Sequence, residues 1–240
     1  MTGAAVSKLF IFPHAGGSPS FYAPFSRAFS TEIQRIAVRY PGSRNGYDLP
    51  PVPGIEVLAD DIYKILAPTH EPDCPVAFFG HSMGALVAFE VARRFEAAGH
   101  PIRALFVSAC SAPHRISEEY FRELSNAELV QFVIDLTGID PEILSNEEFV
   151  AMILPALRSY YDAFAGYACA PTTTVSCPIY AFMGTDDGLA PYDNVSAWSI
   201  HTTSTSALRV FPGDHFYFTK HLLDVVKDVE TRFSDRCEVD

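Results

Sequence analysis

A chain of 240 residues with 48% hydrophobic and 13% aromatic side chains has the means to bury a large core, and 1–240 is read as a single α/β domain carrying a helical insertion. A formal net charge of −12 excludes a general nucleic-acid binder, whose phosphate contacts need clustered Lys and Arg. Met1 to Lys8 lacks the charged region and apolar core of a signal peptide, no apolar run reaches the length of a membrane span, and the five cysteines form no C-x-x-C pair. A reducing, cytoplasmic setting is therefore expected, with no zinc site and no disulfide framework.

In chain order, Lys8 to Phe12 reads as a short buried strand that empties into Pro13-His14-Ala15-Gly16-Gly17-Ser18. Ser20 to Phe29 is a candidate helix, and Ile33 to Arg39 a second strand ending at Tyr40-Pro41-Gly42. Asn45 to Pro53 is rich in Gly and Pro and reads as a loop. Ile55, Leu58, Ala59, Ile62, Ile65 and Leu66 fall at helical spacing, and that helix ends before Pro68. The apolar run Pro75 to Phe79 leads into Gly80-His81-Ser82-Met83-Gly84, followed by a helix to about Ala98 that stops at Gly99, with Pro101 beyond. Ile102 to Ala109 is the next strand. Strands alternating with helices imply a parallel sheet.

The alternation then breaks. From about 116 to 167 the pattern is helical, with Leu124 to Leu136 and Glu147 to Ala165 separated by Gly138 and Pro141. An insertion at this place is read as a lid over the strand ends; its aromatic and Met-rich faces line an acyl pocket or, for most of those side chains, simply pack on the core. Cys177 to Met183 resumes the sheet and runs into Gly184-Thr185-Asp186-Asp187. A short helix over Pro191 to Trp198 and a last strand, Ala207 to Phe211, follow. Pro212-Gly213-Asp214-His215-Phe216 then leads into a single helix from about Tyr217 to Phe233.

G-x-S-x-G between a buried strand and a helix is the context a serine nucleophile needs. The turn is strained, and Gly80 and Gly84 let strand and helix approach closely. A serine hydroxyl attacks only when a base takes its proton, and that base is usually a histidine held by a carboxylate. The order Ser, Asp, His is met at strand ends by Ser82, by Asp187 or Asp186, and by His215. Spacing from Gly184 favours Asp187. The other histidines are given structural parts: His14 shapes its loop and His81 packs or hydrogen-bonds locally, while His70, His100, His114, His201 and His221 belong to loops or helix surfaces. Asp214 stabilises its turn. No cofactor or metal is called for. Arg93, Arg94 and Arg103 cluster near the end of the nucleophile helix, as a docking patch or as a solvated face.

Phe10 to Gly17, Ala77 to Ala85, Phe106 to Pro113, Cys177 to Phe182 and Phe211 to Phe216 together resemble the type II thioesterases of polyketide and nonribosomal peptide pathways, and within them the mycobacterial thioesterase A group, from about Leu9 to the C-terminal helix. The resemblance implies an α/β-hydrolase fold and a stand-alone, monomeric enzyme. It implies hydrolysis of long-chain or polyketide acyl thioesters on the phosphopantetheine arm of acyl carrier or peptidyl carrier domains, in a setting that includes complex lipid synthesis. It also implies Ser82, Asp187 and His215 as triad and the N–H groups of Ala15 and Met83 as oxyanion hole. Many relatives carry proline after the aspartate, where this chain has Gly188. An acyltransferase or general esterase on the same scaffold, or a carrier-binding module without catalysis, stays open at this point.

Overall fold

The inner strands are nearly unbroken apolar runs because both of their faces are covered, whereas the two edge strands carry Gln34, Arg35 and Arg209. β1 (Ser7–Phe12), β2 (Ile33–Ala37), β3 (Val76–His81), β4 (Ala104–Ser108), β5 (Ile179–Gly184) and β6 (Ser206–Phe211) form one six-stranded sheet in the order β2-β1-β3-β4-β5-β6, every neighbouring pair parallel. The computed structural model describes residues 7–40, 52–116, 124–137 and 146–234. Alternate side chains serve opposite cores, as the two-residue repeat of a strand requires. Phe10, Phe12, Phe78, Leu105, Val107, Ile179 and Ala181 enter one, while Leu9, Ile11, Ala77, Phe79, Phe106 and Phe182 enter the other.

The helices are α1 (Ala23–Ala28), α2 (Ile55–Leu66), α3 (Met83–Ala97), α4 (Asn126–Thr137), α5 (Glu147–Ala165), α6 (Tyr192–Ser196), α7 (Tyr217–Lys220) and α8 (Leu222–Ser234). The stripe Ile55, Leu58, Ala59, Ile62 and Leu66 of α2 is buried, whereas Ile65 stays exposed. α3 is buried without interruption from Met83 to Ala92, so it lies between α2 and the sheet rather than on the surface. On the opposite face, Phe25 of α1 and Val225, Val226, Val229 and Phe233 of α8 close the second core. Between β4 and β5 the described residues hold α4 and α5, with Leu129, Leu157 and Tyr161 as a small core of their own. Gly138, Pro141 and most of the loop expected over 45–53 lie outside the described residues.

Two expectations are corrected. The C-terminal helix is not continuous: at His221 the backbone leaves helical geometry (φ −113°, ψ 35°). There the His221 N–H closes α7 onto the Tyr217 carbonyl (3.0 Å), and the His221 carbonyl accepts from the Val225 N–H (3.0 Å) to open α8. His201, expected on a surface, is fully buried. It bonds the Thr173 carbonyl (2.7 Å) and His114 Nδ1 (2.8 Å), beneath the rings of Phe89 and Trp198.

Parallel strands put all their carboxyl ends at one edge. The loops after β1, β3, β4, β5 and β6 therefore meet there, and chain direction across the sheet reverses between β1 and β3. Open α/β sheets bind ligands outside such a reversal.

Candidate active site

Ser82 is the single residue between β3 and α3, with φ 54° and ψ −128°. A side-chain-bearing residue held in this region costs of order 1–3 kcal/mol and persists only where its surroundings over-determine it. Here they do. A Cβ at Gly80 would collide with the Gly84 carbonyl, and one at Gly84 with the carbonyl oxygens of Phe12 and Pro13. The two glycines thus let α3 start flush against the ends of β3 and β1. Met83 opens α3, so its N–H is one of the four that a helix cannot satisfy internally, at the positive end of the helix dipole.

The turn after β6 carries His215 and the turn after β5 carries Asp187. His215 Nδ1 lies 2.9 Å from Asp187 Oδ2, with both side chains buried. An ionised carboxylate only accepts, so Nδ1 carries the proton and donates it, leaving the Nε2 lone pair for another partner. Asp187 Oδ1 accepts from the Leu189 N–H (3.0 Å). This short turn holds the carboxylate across Gly188. Asp186 is exposed, and its N–H is tied to the Gly213 carbonyl (2.8 Å). Asp214 accepts from the Phe216 N–H and pairs with Lys220 (2.7 Å), which keeps it to its own turn.

Ser82, His215, Ala15 and Met83 line one narrow cavity (≈ 40 Å³), roofed by Phe132 of α4 and Tyr161 of α5. His215 Nε2 is buried there, has no hydrogen-bond partner among the described residues, and is not bonded to Ser82. Hydrogen bonds of this kind are often long before substrate binds. A larger hollow (≈ 710 Å³) between His100, Arg103 and Arg232 contains none of these side chains and lies at the opposite edge of the sheet, so the smaller cavity is the chemically equipped one.

The loop after β1 is fixed from inside. The Tyr22 hydroxyl accepts from the His14 N–H (3.1 Å) and is hydrogen-bonded to His14 Nδ1 (2.8 Å), and the Gly17 N–H donates to the His14 carbonyl (2.9 Å). Burial pushes His14 down to about 3, with nearby His215 adding to the effect. His81, fully buried, is likewise held well below its usual range by burial and by His215 and His14. Its Nδ1 meets Ser108 Oγ (2.9 Å), which meets the Tyr217 hydroxyl (2.7 Å). Tyr22, Ser108 and Tyr217 were not singled out by sequence. Ser108 becomes visible only through register, since it stands level with His81 across β3 and β4.

Arg93 and Arg94 are tied into an ion-pair cluster, Arg94 mostly covered and Arg93 with 40% of its side chain exposed. Both grip the buried Glu90 (2.7 and 2.6 Å), Arg94 also binds Asp60 (2.6 Å), and the Tyr167 hydroxyl donates to Glu90 (2.8 Å). They lie roughly 16 Å along α3 from Ser82 at 1.5 Å per residue. Arg103 precedes β4 at the far edge of the sheet.

A thioesterase domain family model matches residues 7–233. The chain is similar to the thioesterase TesA of Mycobacterium leprae, 48% identical over 230 residues that cover 96% of this chain and 88% of the relative. It is also similar to TesA of Mycobacterium marinum, 49% identical over 222 residues covering 92% and 89%. Among solved structures it resembles the type II thioesterase BorB from the borrelidin biosynthetic cluster (TM-score 0.84, 38% identity, covering 95% of this chain and 93% of that one). It also resembles YbtT, a type II thioesterase from the yersiniabactin NRPS/PKS pathway (TM-score 0.87, 30% identity, 96% and 94%). The six-stranded parallel sheet flanked by helices is the α/β-hydrolase fold of these neighbours. Among the described residues no helix is long and apolar enough to cross a membrane.

Proposed function

The chain belongs to the thioesterase domain family and is a type II thioesterase of the polyketide and nonribosomal peptide kind, and from that premise we propose that Ser82, His215 and Asp187 are its catalytic triad, acting through an acyl-enzyme on acyl groups carried by the phosphopantetheine arm of carrier domains. The observation that carries the proposal is the buried Asp187–His215 hydrogen bond, whose free Nε2 borders the same cavity as the strained Ser82.

In this reading His215 Nε2 takes the Ser82 hydroxyl proton as Oγ bonds the thioester carbonyl carbon. The carbonyl oxygen becomes an alkoxide held by the N–H groups of Ala15 and Met83, each such donor typically contributing about 10²–10³ in rate. The C–S bond then breaks, and the His215 proton goes to the departing pantetheine thiolate. Water enters, His215 takes its proton, a second alkoxide forms, and collapse returns the proton to Ser82 and frees the acid. Asp187 fixes the tautomer and stabilises the imidazolium in both steps. The helices α4 and α5 act as a lid. A cavity of ≈ 40 Å³ falls well short of the roughly 300–1,000 Å³ of a ligand pocket, so a chain enters only if they part.

The test has two arms. Ser82→Ala and His215→Ala are each expected to lose nearly all turnover while folding normally, and the double variant is expected to be hardly worse than either single one, because the pair acts as a unit. Ordinary turnover by Ser82→Ala would end the nucleophile assignment. In the second arm kcat/KM for an acylated carrier domain is expected to exceed that for the matching acyl-pantetheine. Equal values would leave a thioesterase without carrier recognition.

A further inference from the structure

The core of α4 and α5 reaches past the cavity to the loop after β1. Leu129, Leu157 and Tyr161 pack with Leu154 and Phe132 and also with Ala15, and Ala15 packs on the main core as well. The next residue, Gly16, has φ +73°, and a Cβ built on it would stand 3.3 Å from Leu157 Cδ1. The buried Leu157 side chain therefore rests on the backbone of the loop itself. From the sheet side, Tyr22 binds His14, and the Tyr40 hydroxyl donates to the Pro13 carbonyl. One side of this loop is pinned by hydrogen bonds and the other by the helical insertion.

We propose that Leu157 is a positioning residue: closure of α4 and α5 seats it on Ala15 and Gly16 and sets the Ala15 N–H where the thioester oxyanion forms. This rests on the reading of Ala15 as an oxyanion donor. Lid and oxyanion hole are then one mechanical unit. Parting the helices to admit a chain releases the loop, and the hole is completed only when the helices close over a bound chain. A catalytic site assembled by closure in this way ties rate to correct occupancy.

Two probes separate this role from pocket packing, both used on the full chain. A long-chain alkylthio trifluoromethyl ketone (R–S–CH₂–CO–CF₃) is attacked by Ser82 and places an alkoxide in the hole. The matching thioether, with CH₂ in place of the carbonyl, fills the same pocket and places no charge there. Leu157→Ala is expected to weaken the ketone by about tenfold or more, since small misplacements of catalytic groups are costly. It should leave thioether affinity nearly unchanged, and kcat should fall without a matching rise in KM. Leu157→Met should restore wild-type behaviour, and Leu157→Val should give a milder form of the same ordering if the alanine variant folds poorly. Equal losses for the two probes, or unchanged ketone affinity, would overturn the role of Leu157 alone. Equal ketone affinity of wild type and Ser82→Ala would instead overturn the nucleophile, and this proposal with it.

Discussion

Asp186 and Asp187 are chemically identical neighbours that the fold separates by burial. The Asp187 carboxylate is covered and spends one oxygen on His215 and the other on the Leu189 N–H, whereas Asp186 faces water. Asp187→Asn should therefore lower kcat by about 10⁴, because an amide stabilises neither the required imidazole tautomer nor the imidazolium. Asp186→Asn should stay near wild type. Turnover of one acyl thioester by both variants decides it, and the reverse result would move the orienting role back by one residue. At this scale the residues that meet around the cavity were legible, because strand ends and glycine spacing announce them. Their supports were not. Tyr22 acts on His14 from eight positions away in a folded loop, Ser108 meets His81 across 27 positions, and Tyr217 meets Ser108 across 109, with no local pattern to link them.

Elements were legible to the extent that a hydrophobic repeat defines them. The inner strands stood out because burial on both faces leaves almost no polar interruption, and α3 because it is apolar from Met83 to Ala92 but for Glu90. The break at His221 carries no such mark. Tyr217 and Phe218 before it and Val225, Val226 and Val229 after it enter the same core, so periodicity runs through the break. Charge clusters were equally opaque. Arg93 and Arg94 look available in sequence and are both paired to the carboxylate of Glu90, one turn earlier on the same helix, although Arg93 keeps 40% of its side chain exposed. The helices α4 and α5 show what a loosely held element looks like. Leu129 is the one fully buried residue of α4, and the first two turns of α5 keep Ala151 and Met152 exposed. Elements with few buried apolar contacts open at lower free energy than the sheet they cover. Backbone hydrogen exchange in 126–137 and 147–154 is thus expected to be faster than in β3, and to slow when a long-chain phosphonate occupies Ser82. Exchange that is uniform and indifferent to the phosphonate would count against these helices as a moving lid.

Across the whole molecule, an acidic chain has placed neutral histidines beneath its candidate site, and this sets its response to acid. His14 is pushed from 6.5 down to about 3 by burial and by His215, and His81 is lowered by burial, His215 and His14. His70, His114 and His201 are lowered as well, each chiefly by desolvation. A group with a depressed folded pKa that is neutral when folded favours the unfolded chain as soon as protons become available to it, so its destabilising effect begins near pH 6.5 and grows until the folded pKa is reached. His14 alone should remove about 1.4 kcal/mol of stability between pH 7.5 and 5.5, with His81 acting in the same direction. The excess negative charge of −12 works the other way, because repulsion eases as pH falls, but it is diffuse and screened by salt, whereas the buried histidines are not. Urea midpoints measured at pH 7.5 and 5.5 in high salt should therefore fall on acidification. His14→Asn, whose side-chain amide can still hydrogen-bond Tyr22, should show a shallower fall. A midpoint that is level or rising towards pH 5.5 in high salt would mean that these rings are protonated in the folded protein, and that the pocket behind His215 is wetter than its burial indicates.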